Sequence, residues 1–474
     1  MLFTTLNFCL FLVVVLGLFY ALPLLARRYL LLAASIYFYM AWIPRYVAIL
    51  FLLITIDFFA ALWIEGRQGP RRRAALVVSL CVNLGFLGWF KYANFAREIW
   101  FQLFASNSHI DPLAIILPLG ISFHTFQSIS YVIDVYRRKQ PAIPSYIDYA
   151  LFVSFFPQLV AGPIVRAEEF FADYFSPHPV SSVVSAPQHH WRPPTSEEWQ
   201  RGCATILVGY IKKLVCADQF SLVADQYFAN PAALPGFFPA WTAAIAFGLQ
   251  IFFDFSGYTD IAIGVALLFG FHFPENFRRP YLSASVTEFW RRWHMTLSAW
   301  LRDYVYISLG GNRKGAWRTR LNLILTMLLG GLWHGASWNF VIWGGYHGAL
   351  LSIERLRGKR EITGLARIPL AIITFLFVTI GWVLFRAKTL AAALFVIGQM
   401  FAGQTTAPSL FGRWRISLAL LTLGIALVEE HAQGLTRLAQ SPLWVRTAAS
   451  VIGLLIIELF TATDQSIPFV YFQF

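Results

Sequence analysis

Three stretches place polar or ionisable side chains among apolar neighbours, and these are the positions where chemistry would be done. An ionisable group in hydrocarbon is costly unless it is paired or hydrated, so each is a functional candidate by default. The first is Phe253-Asp254-Phe255-Ser256-Gly257-Tyr258-Thr259-Asp260. Its two carboxylates are six positions apart, well off a whole number of helical turns, so a helix cannot present both on one face. Asp254 can orient or neutralise a catalytic partner, or it can form a buried ion pair with a nearby arginine. Ser256 lacks a GxSxG context, which weakens it as a nucleophile. The second stretch, 287–304, mixes tryptophans and arginines in the manner of an interfacial helix. Trp290, Trp300 and Tyr304 read as anchors, whereas His294, beside Arg291 and Arg292, can also line a hydrophilic access path. The third stretch, 328–340, is Leu-Leu-Gly-Gly-Leu-Trp-His-Gly-Ala-Ser-Trp-Asn-Phe. His334 stands near the middle of a run long enough to span a bilayer. Glycines on both sides allow a backbone or a ligand to come close. Burial favours the neutral imidazole, which accepts a proton from a hydroxyl or thiol, the work of a general base. The other reading of His334 is a histidine hydrogen-bonded to a neighbouring helix. His347, near the end of the same run, reads as structural.

Composition fixes the setting of these residues. Of 474 residues, 58% are hydrophobic, 17% aromatic and only 13% charged. A soluble chain carries about 25% charged residues, so this one cannot coat a water-soluble particle of its size. The mean hydropathy is +0.59. The chain is an all-α polytopic membrane protein. Its net charge of +13 falls in short clusters between apolar runs, which fits topology signals and not nucleic-acid binding. The four cysteines form no CxxC pair, so neither a disulfide framework nor a zinc ribbon is expected. The first apolar run lacks a basic leader and a cleavage signature and reads as a retained membrane segment. No Walker loop, dinucleotide fingerprint or HExxH set occurs, which argues against a nucleotide-driven pump.

Apolar runs cover 8–26, 29–43, 46–64, 74–90 and about 113–135. Basic clusters follow the first, third and fifth of them: Arg27-Arg28, Arg71-Arg72-Arg73 and Arg137-Arg138-Lys139. Lys and Arg accumulate on the cytoplasmic side, which places the N-terminus outside. Residues 147–165 contain Pro157, Gly162 and Pro163 and read as a broken or re-entrant helix. Residues 172–200 read as a polar surface loop, with His189-His190 a solvated pair in preference to a metal site. Apolar runs resume at 203–227, 240–273, 320–352, 366–385, 388–401, 415–428 and 444–463. The expectation is one membrane domain over 1–474 with roughly ten to twelve membrane segments and no fixed-period repeat.

Several motifs then occur together and in order: KYANF at 91–95, LPLGISFHTFQSISYVIDVYR at 117–137, FFPQLVAGPIVR at 155–166, FDFSGYTDIAIG at 253–264, ENFRRPY at 275–281, TEFWRRWHMTLSAWLRDYVYISLGGNR at 287–313, NLILTMLLGGLWHGASWNFVIWG at 322–344 and the terminal PFVYFQF. The chain resembles the membrane-bound O-acyltransferase (MBOAT) superfamily, within it the membrane subunits of bacterial polysaccharide O-acetylation, of alginate or cellulose type. The resemblance implies a ring of tilted transmembrane helices around a central tunnel. It implies His334 as the catalytic histidine and His294 as the second signature histidine, with Asp254, Trp333 and Asn339 in support. Members move an acyl group from a thioester to a hydroxyl. The branch implies cytoplasmic acetyl-CoA as donor substrate, a periplasmic acetyltransferase partner within a polysaccharide synthesis or secretion complex, and a multi-pass protein of the inner membrane in contact with lipid but not nucleic acid. A thioester is already activated, so no ATP motif is required. His334 can deprotonate the acceptor or carry the acetyl group itself as an acetyl-imidazole. Arg291 and Arg292 can attract the phosphates of an anionic donor. No bound cofactor and no metal are expected. The sister branch that passes D-alanine to teichoic acids shares both histidines, and the WRRWHMTLSAWLRDYVY stretch favours the acetyl branch. The competing class is a transport or scaffold subunit without chemistry of its own, which polytopic architecture and buried polar residues also suit.

Overall fold

The computed structural model describes residues 1–104, 111–160, 162–173, 192–356, 358, 363–403, 412–432, 434–461 and 469. Among them the regular structure is helical throughout, and no strand occurs. The chain forms two compact units, Met1–Cys203 with Ala262–Pro274, and Ala204–Ile261 with Glu275–Phe474.

The first unit contains α1 (Leu6–Ala21), α2 (Leu24–Met40), α3 (Tyr46–Gly66), α4 (Pro70–Leu87), α5 (Ala93–Phe104), α6 (Ile121–Tyr136), α7 (Tyr146–Ser154), α8 (Phe156–Leu159) and α9 (Ala167–Ala172). A π-helical turn, Gly88–Tyr92, joins α4 to α5. The run expected over 8–26 is cut at Leu22-Pro23, because the residue before a proline is pushed out of helical geometry. Arg27 and Arg28 therefore ride inside α2 and do not mark the end of a span. The run expected from 113 becomes helical only at Ile121. Gly120 precedes it with φ +68, and a Cβ there would lie 2.1 Å from the Leu159 carbonyl oxygen, so only glycine fits. The broken helix expected over 147–165 is present as α7 and α8, parted at Phe155 ahead of Pro157. Asp57 of α3 is buried and accepts hydrogen bonds from two residues of α4: Ser79 Oγ at 2.6 Å and Asn83 Nδ2 at 2.8 Å. This polar knot ties the two helices together.

Helix α10 (Ser196–Tyr210) runs from residues of the first unit into the second and continues through a π-helical turn, Ile211–Ala217, into α11 (Asp218–Ala229). Next come α12 (Phe237–Leu268), α13 (Val286–Arg292), α14 (Met295–Trp300), α15 (Gly315–His334), α16 (Trp338–Leu356), α17 (Arg367–Arg386), α18 (Leu390–Gln399), α19 (Arg413–Ala432), α20 (Gly434–Ala439) and α21 (Leu443–Phe460). Five helical stretches among the described residues are long and apolar enough to cross a bilayer: Tyr46–Gly66, Pro70–Phe104, Phe237–Leu268, Gly364–Arg386 and Leu443–Phe460. Leu6–Ala21, Leu390–Gln399 and Trp414–Leu427 are apolar but shorter. The core of the second unit gathers Phe247, Phe289, Trp293, Trp343, Trp382 and Phe385 from α12, α13, α16 and α17, and the two histidines of interest lie against it.

Candidate active site

Helices α15 and α16 form a hairpin whose backbones touch. A Cβ on Gly331 would fall 2.2 Å from the Phe340 carbonyl oxygen, and one on Gly344 would fall 2.3 Å from that of Met327. Contact partners that run in opposite order along the two helices make the pair antiparallel. Gly335 leaves helical geometry with φ −164 and ψ 154, close against the Phe340 ring. His334 is therefore the last residue of α15, not the middle of a span as the hydropathy of the run suggests. It is buried, edge-on to Trp343 at 5.2 Å and to Phe385 at 5.2 Å, and 4.9 Å from Trp333 between ring centres.

His294 is placed by a different device. The amphipathic stretch does not form one helix. Ser285 caps α13, its Oγ accepting from the Glu288 amide at 3.1 Å, and the helix ends at Arg292. His294 takes left-handed backbone geometry, φ 41 and ψ 57, and α14 starts from it. The turn is pinned by the ENFRRPY segment: the Met295 amide donates to the Asn276 carbonyl at 2.9 Å, and the Arg278 amide to the Arg292 carbonyl at 2.9 Å. The Asn276 side chain then reads the histidine. Its Oδ1 accepts from the Thr296 amide at 3.2 Å and from Thr296 Oγ1 at 2.9 Å, and it lies 3.0 Å from His294 Nδ1. The Thr296 amide identifies this atom as the amide oxygen, which carries no hydrogen, so Nδ1 carries the proton. In the neutral ring the lone pair is then on Nε2. The imidazole is fully buried, edge-on to Phe255 at 4.7 Å and 6.0 Å from Trp333. One indole, Trp333, thus neighbours both histidines.

The family model for MBOAT, the membrane-bound O-acyltransferase family, matches residues 137–360. The chain is 42% identical over 441 residues to the "Probable alginate O-acetylase AlgI" of Azotobacter vinelandii, covering 92% of this chain and 85% of that one. It is 40% identical to the protein of the same description from Pseudomonas putida, with 98% of both chains covered. A "Peptidoglycan O-acetyltransferase" of Helicobacter pylori is 38% identical over 80% of this chain and 74% of its own length. The chain belongs to the membrane-bound O-acyltransferase family. It is a multi-pass membrane acyltransferase.

The remaining sequence candidates of this acyltransferase fall around the two histidines in different ways. Asp254 is in an ion pair, but its partner is lysine and not arginine. Lys213 Nζ lies 2.9 Å from Asp254 Oδ1 and 2.8 Å from Asp218 Oδ1, all three buried. Lys212 takes the second carboxylate of the stretch, with Nζ 2.5 Å from Asp260 Oδ2. Both lysines sit in the π-helical turn Ile211–Ala217, and both carboxylates on α12. Asp254 itself follows Phe253 and precedes Phe255, the ring against His294. Asn339 donates from Nδ2 to the Ala387 carbonyl at 2.7 Å, tying the start of α16 to the end of α17. Arg292 is 2.9 Å from Glu288 Oε1, and Arg367 is 2.7 Å from the same oxygen. Arg291 is exposed. His347 is fully buried between Trp290 and Trp343, at 5.2 and 5.0 Å, and neither ring nitrogen has a hydrogen-bond partner among the described residues. His189-His190 lie outside the described residues.

Three residues were not singled out as candidates from the sequence. Asn276 stands in the ENFRRPY motif but carries no charge to draw notice. The adjacent lysines 212 and 213 interrupt the apolar run 203–227 and meet the same criterion that draws attention to Asp254.

Proposed function

We propose that this acyltransferase takes acetyl groups from acetyl-CoA at the cytoplasmic side of the inner membrane and delivers them across it for O-acetylation of an exopolysaccharide, alginate or cellulose, through a periplasmic acetyltransferase partner. The observation that carries the reading is the pairing of His294 and His334 about Trp333, in a chain similar over most of its length to proteins described as alginate O-acetylases. His334 acts as the base. It takes the proton of the acceptor hydroxyl as that oxygen attacks the thioester carbonyl. The carbon–sulfur bond breaks, and the proton passes to the departing sulfur, so ester and thiol are the products. In the two-step form a nitrogen of His334 attacks the thioester carbonyl, the carbon–sulfur bond breaks and the thiol leaves with the ring proton; the hydroxyl then takes the acetyl group from the acetyl-imidazole and returns its proton to the ring. His294, whose lone pair Asn276 places on Nε2, accepts a hydrogen bond from the acceptor hydroxyl and so orients it. Arg291 and Arg292 draw in the donor phosphates; Arg291, exposed, is the freer to do so, since Arg292 also faces Glu288.

The test is polymer acetylation in cells carrying His334→Ala, with membrane abundance measured in parallel. Loss of nearly all acetyl ester at normal abundance is expected, and the polymer that loses its ester is thereby identified. Retained acetylation would assign the chain to transport or assembly and move the chemistry to its partner.

A further inference from the structure

Phe469 lies beyond α21 in the PFVYFQF motif, a segment that the proposed chemistry does not use. It is almost completely buried. Its ring lies 4.5 Å from Tyr258 and 5.8 Å from Phe255, both on α12. Phe255 in turn stands at 90° to the His294 imidazole, 4.7 Å away. Phe255 thus has Phe469 as one neighbour and the histidine as another. Burying an aromatic side chain hides about 150–250 Å² of surface. The contact is made to the helix turn that carries the histidine's ring neighbour. On the amide side, His294 is fixed by Asn276. On the ring side it is packed against the aromatic rings of Phe255, Phe277 and Trp333. An aromatic ring without polar atoms holds its place only as well as the rings behind it.

We propose that Phe469 is a positioning residue for the acyl-transfer site: it braces Phe255 edge-on against His294 and so holds the imidazole plane in its working orientation. The inference rests on the proposed role of His294, and it is testable apart from it.

The experiment is a double-mutant cycle on Phe469 and Phe255 in the full chain, in purified membranes, with acetyl-CoA as donor. Phe469→Ala should lower kcat about five- to ten-fold with KM for the donor nearly unchanged and membrane abundance as in the wild type. Phe469→Leu should recover most of the rate. In a Phe255→Ala background, Phe469→Ala should add no further loss. The second readout needs no turnover: the rate of carbethoxylation of His294 by diethyl pyrocarbonate, measured by peptide mass spectrometry. Phe469→Ala should raise that rate several-fold while His347, buried elsewhere in the same unit, is unchanged. Equal losses in both Phe255 backgrounds, or a His294 modification rate that does not move, would overturn the proposal. So would a parallel rise at His347, which marks general loosening. A wild-type protein that makes no ester but shows the coupled change at His294 would sink the proposed function and leave the brace standing.

Discussion

Two histidines, one in each unit, show opposite ways of holding an imidazole. His272, in the first unit, is exposed and has a carboxylate on each ring nitrogen: Asp173 Oδ1 at 3.0 Å from Nδ1 and Glu198 Oε1 at 3.0 Å from Nε2. Arg192 completes the cluster, 2.6 Å from the same Glu198 oxygen. His294, in the second unit, is fully buried and has a neutral amide on Nδ1 and aromatic rings around it. Carboxylates stand on the helix that carries its ring neighbour Phe255, but lysines hold them: Lys213 on Asp254 and Lys212 on Asp260. A carboxylate beside an imidazole stabilises the imidazolium, which has no lone pair to accept a proton. In the second unit these buried acids are matched to lysines, whereas at the surface of the first unit two acids are matched to a histidine.

The largest effect should come from releasing an acid inside the second unit. Lys213→Met leaves Asp254 and Asp218 buried without their shared cation, and removing one partner of a buried pair costs about 3–5 kcal/mol. Thermal unfolding in detergent should drop accordingly, with lower membrane abundance. An unchanged melting temperature would mean that the two aspartates find another partner and that the separation is not enforced. Next in size, Asn276→Asp gives His294 the kind of neighbour that His272 has while keeping an oxygen acceptor for Thr296. Acyl transfer at neutral pH should fall about 100-fold, the scale of a misplaced reacting group, because an imidazolium at 294 cannot accept the hydrogen bond that orients the hydroxyl in the proposed function. A rate near wild type would show that His294 works equally well as a cation. The smallest effect belongs to His272→Gln. Hydrogen bonding to Asp173, with burial opposing and the Glu198 contact assisting, holds the His272 pKa above its ordinary value. A raised pKa contributes stability fully below the unfolded value of about 6.5 and loses it as pH rises through the folded one. The wild type should therefore unfold at a higher temperature than the variant in mildly acidic buffer, with the gap closing as pH rises above neutrality. A gap independent of pH would mean that charge plays no part in the cluster.

The all-α membrane character and the two histidines were legible in the sequence because composition and short motifs carry them. Their arrangement was not. Nothing in the hydropathy of 320–352 marks His334 as the end of a helix. That follows from the Phe340 ring lying where a Cβ on Gly335 would go, a contact made only once the hairpin closes. The partner of Asp254 was expected among the arginines and proved to be Lys213, 41 positions away and turned inward by a π-helical turn that periodicity does not reveal. Asp57 interrupts an apolar run just as Asp254 does, yet the sequence reading passes over it; its donors Ser79 and Asn83 are uncharged and look ordinary on α4. The single amphipathic helix suggested by 287–304 is two helices, because a hydrogen-bonded link to 276–278 bends the chain between them.

The bend has a consequence for how this position tolerates change. His294 is one of three non-glycine residues among those described with positive φ, alongside Arg138 and Arg279. A side chain in that conformation costs roughly 1 kcal/mol or more relative to glycine. Glycine at 294 would relax the backbone by about that much, but it would also empty a buried, ring-lined position and remove the hydrogen bond to Asn276, a loss of about 2–5 kcal/mol. Packing therefore outweighs backbone preference here, and the turn is held in its left-handed form by the very side chain that the backbone alone would not choose.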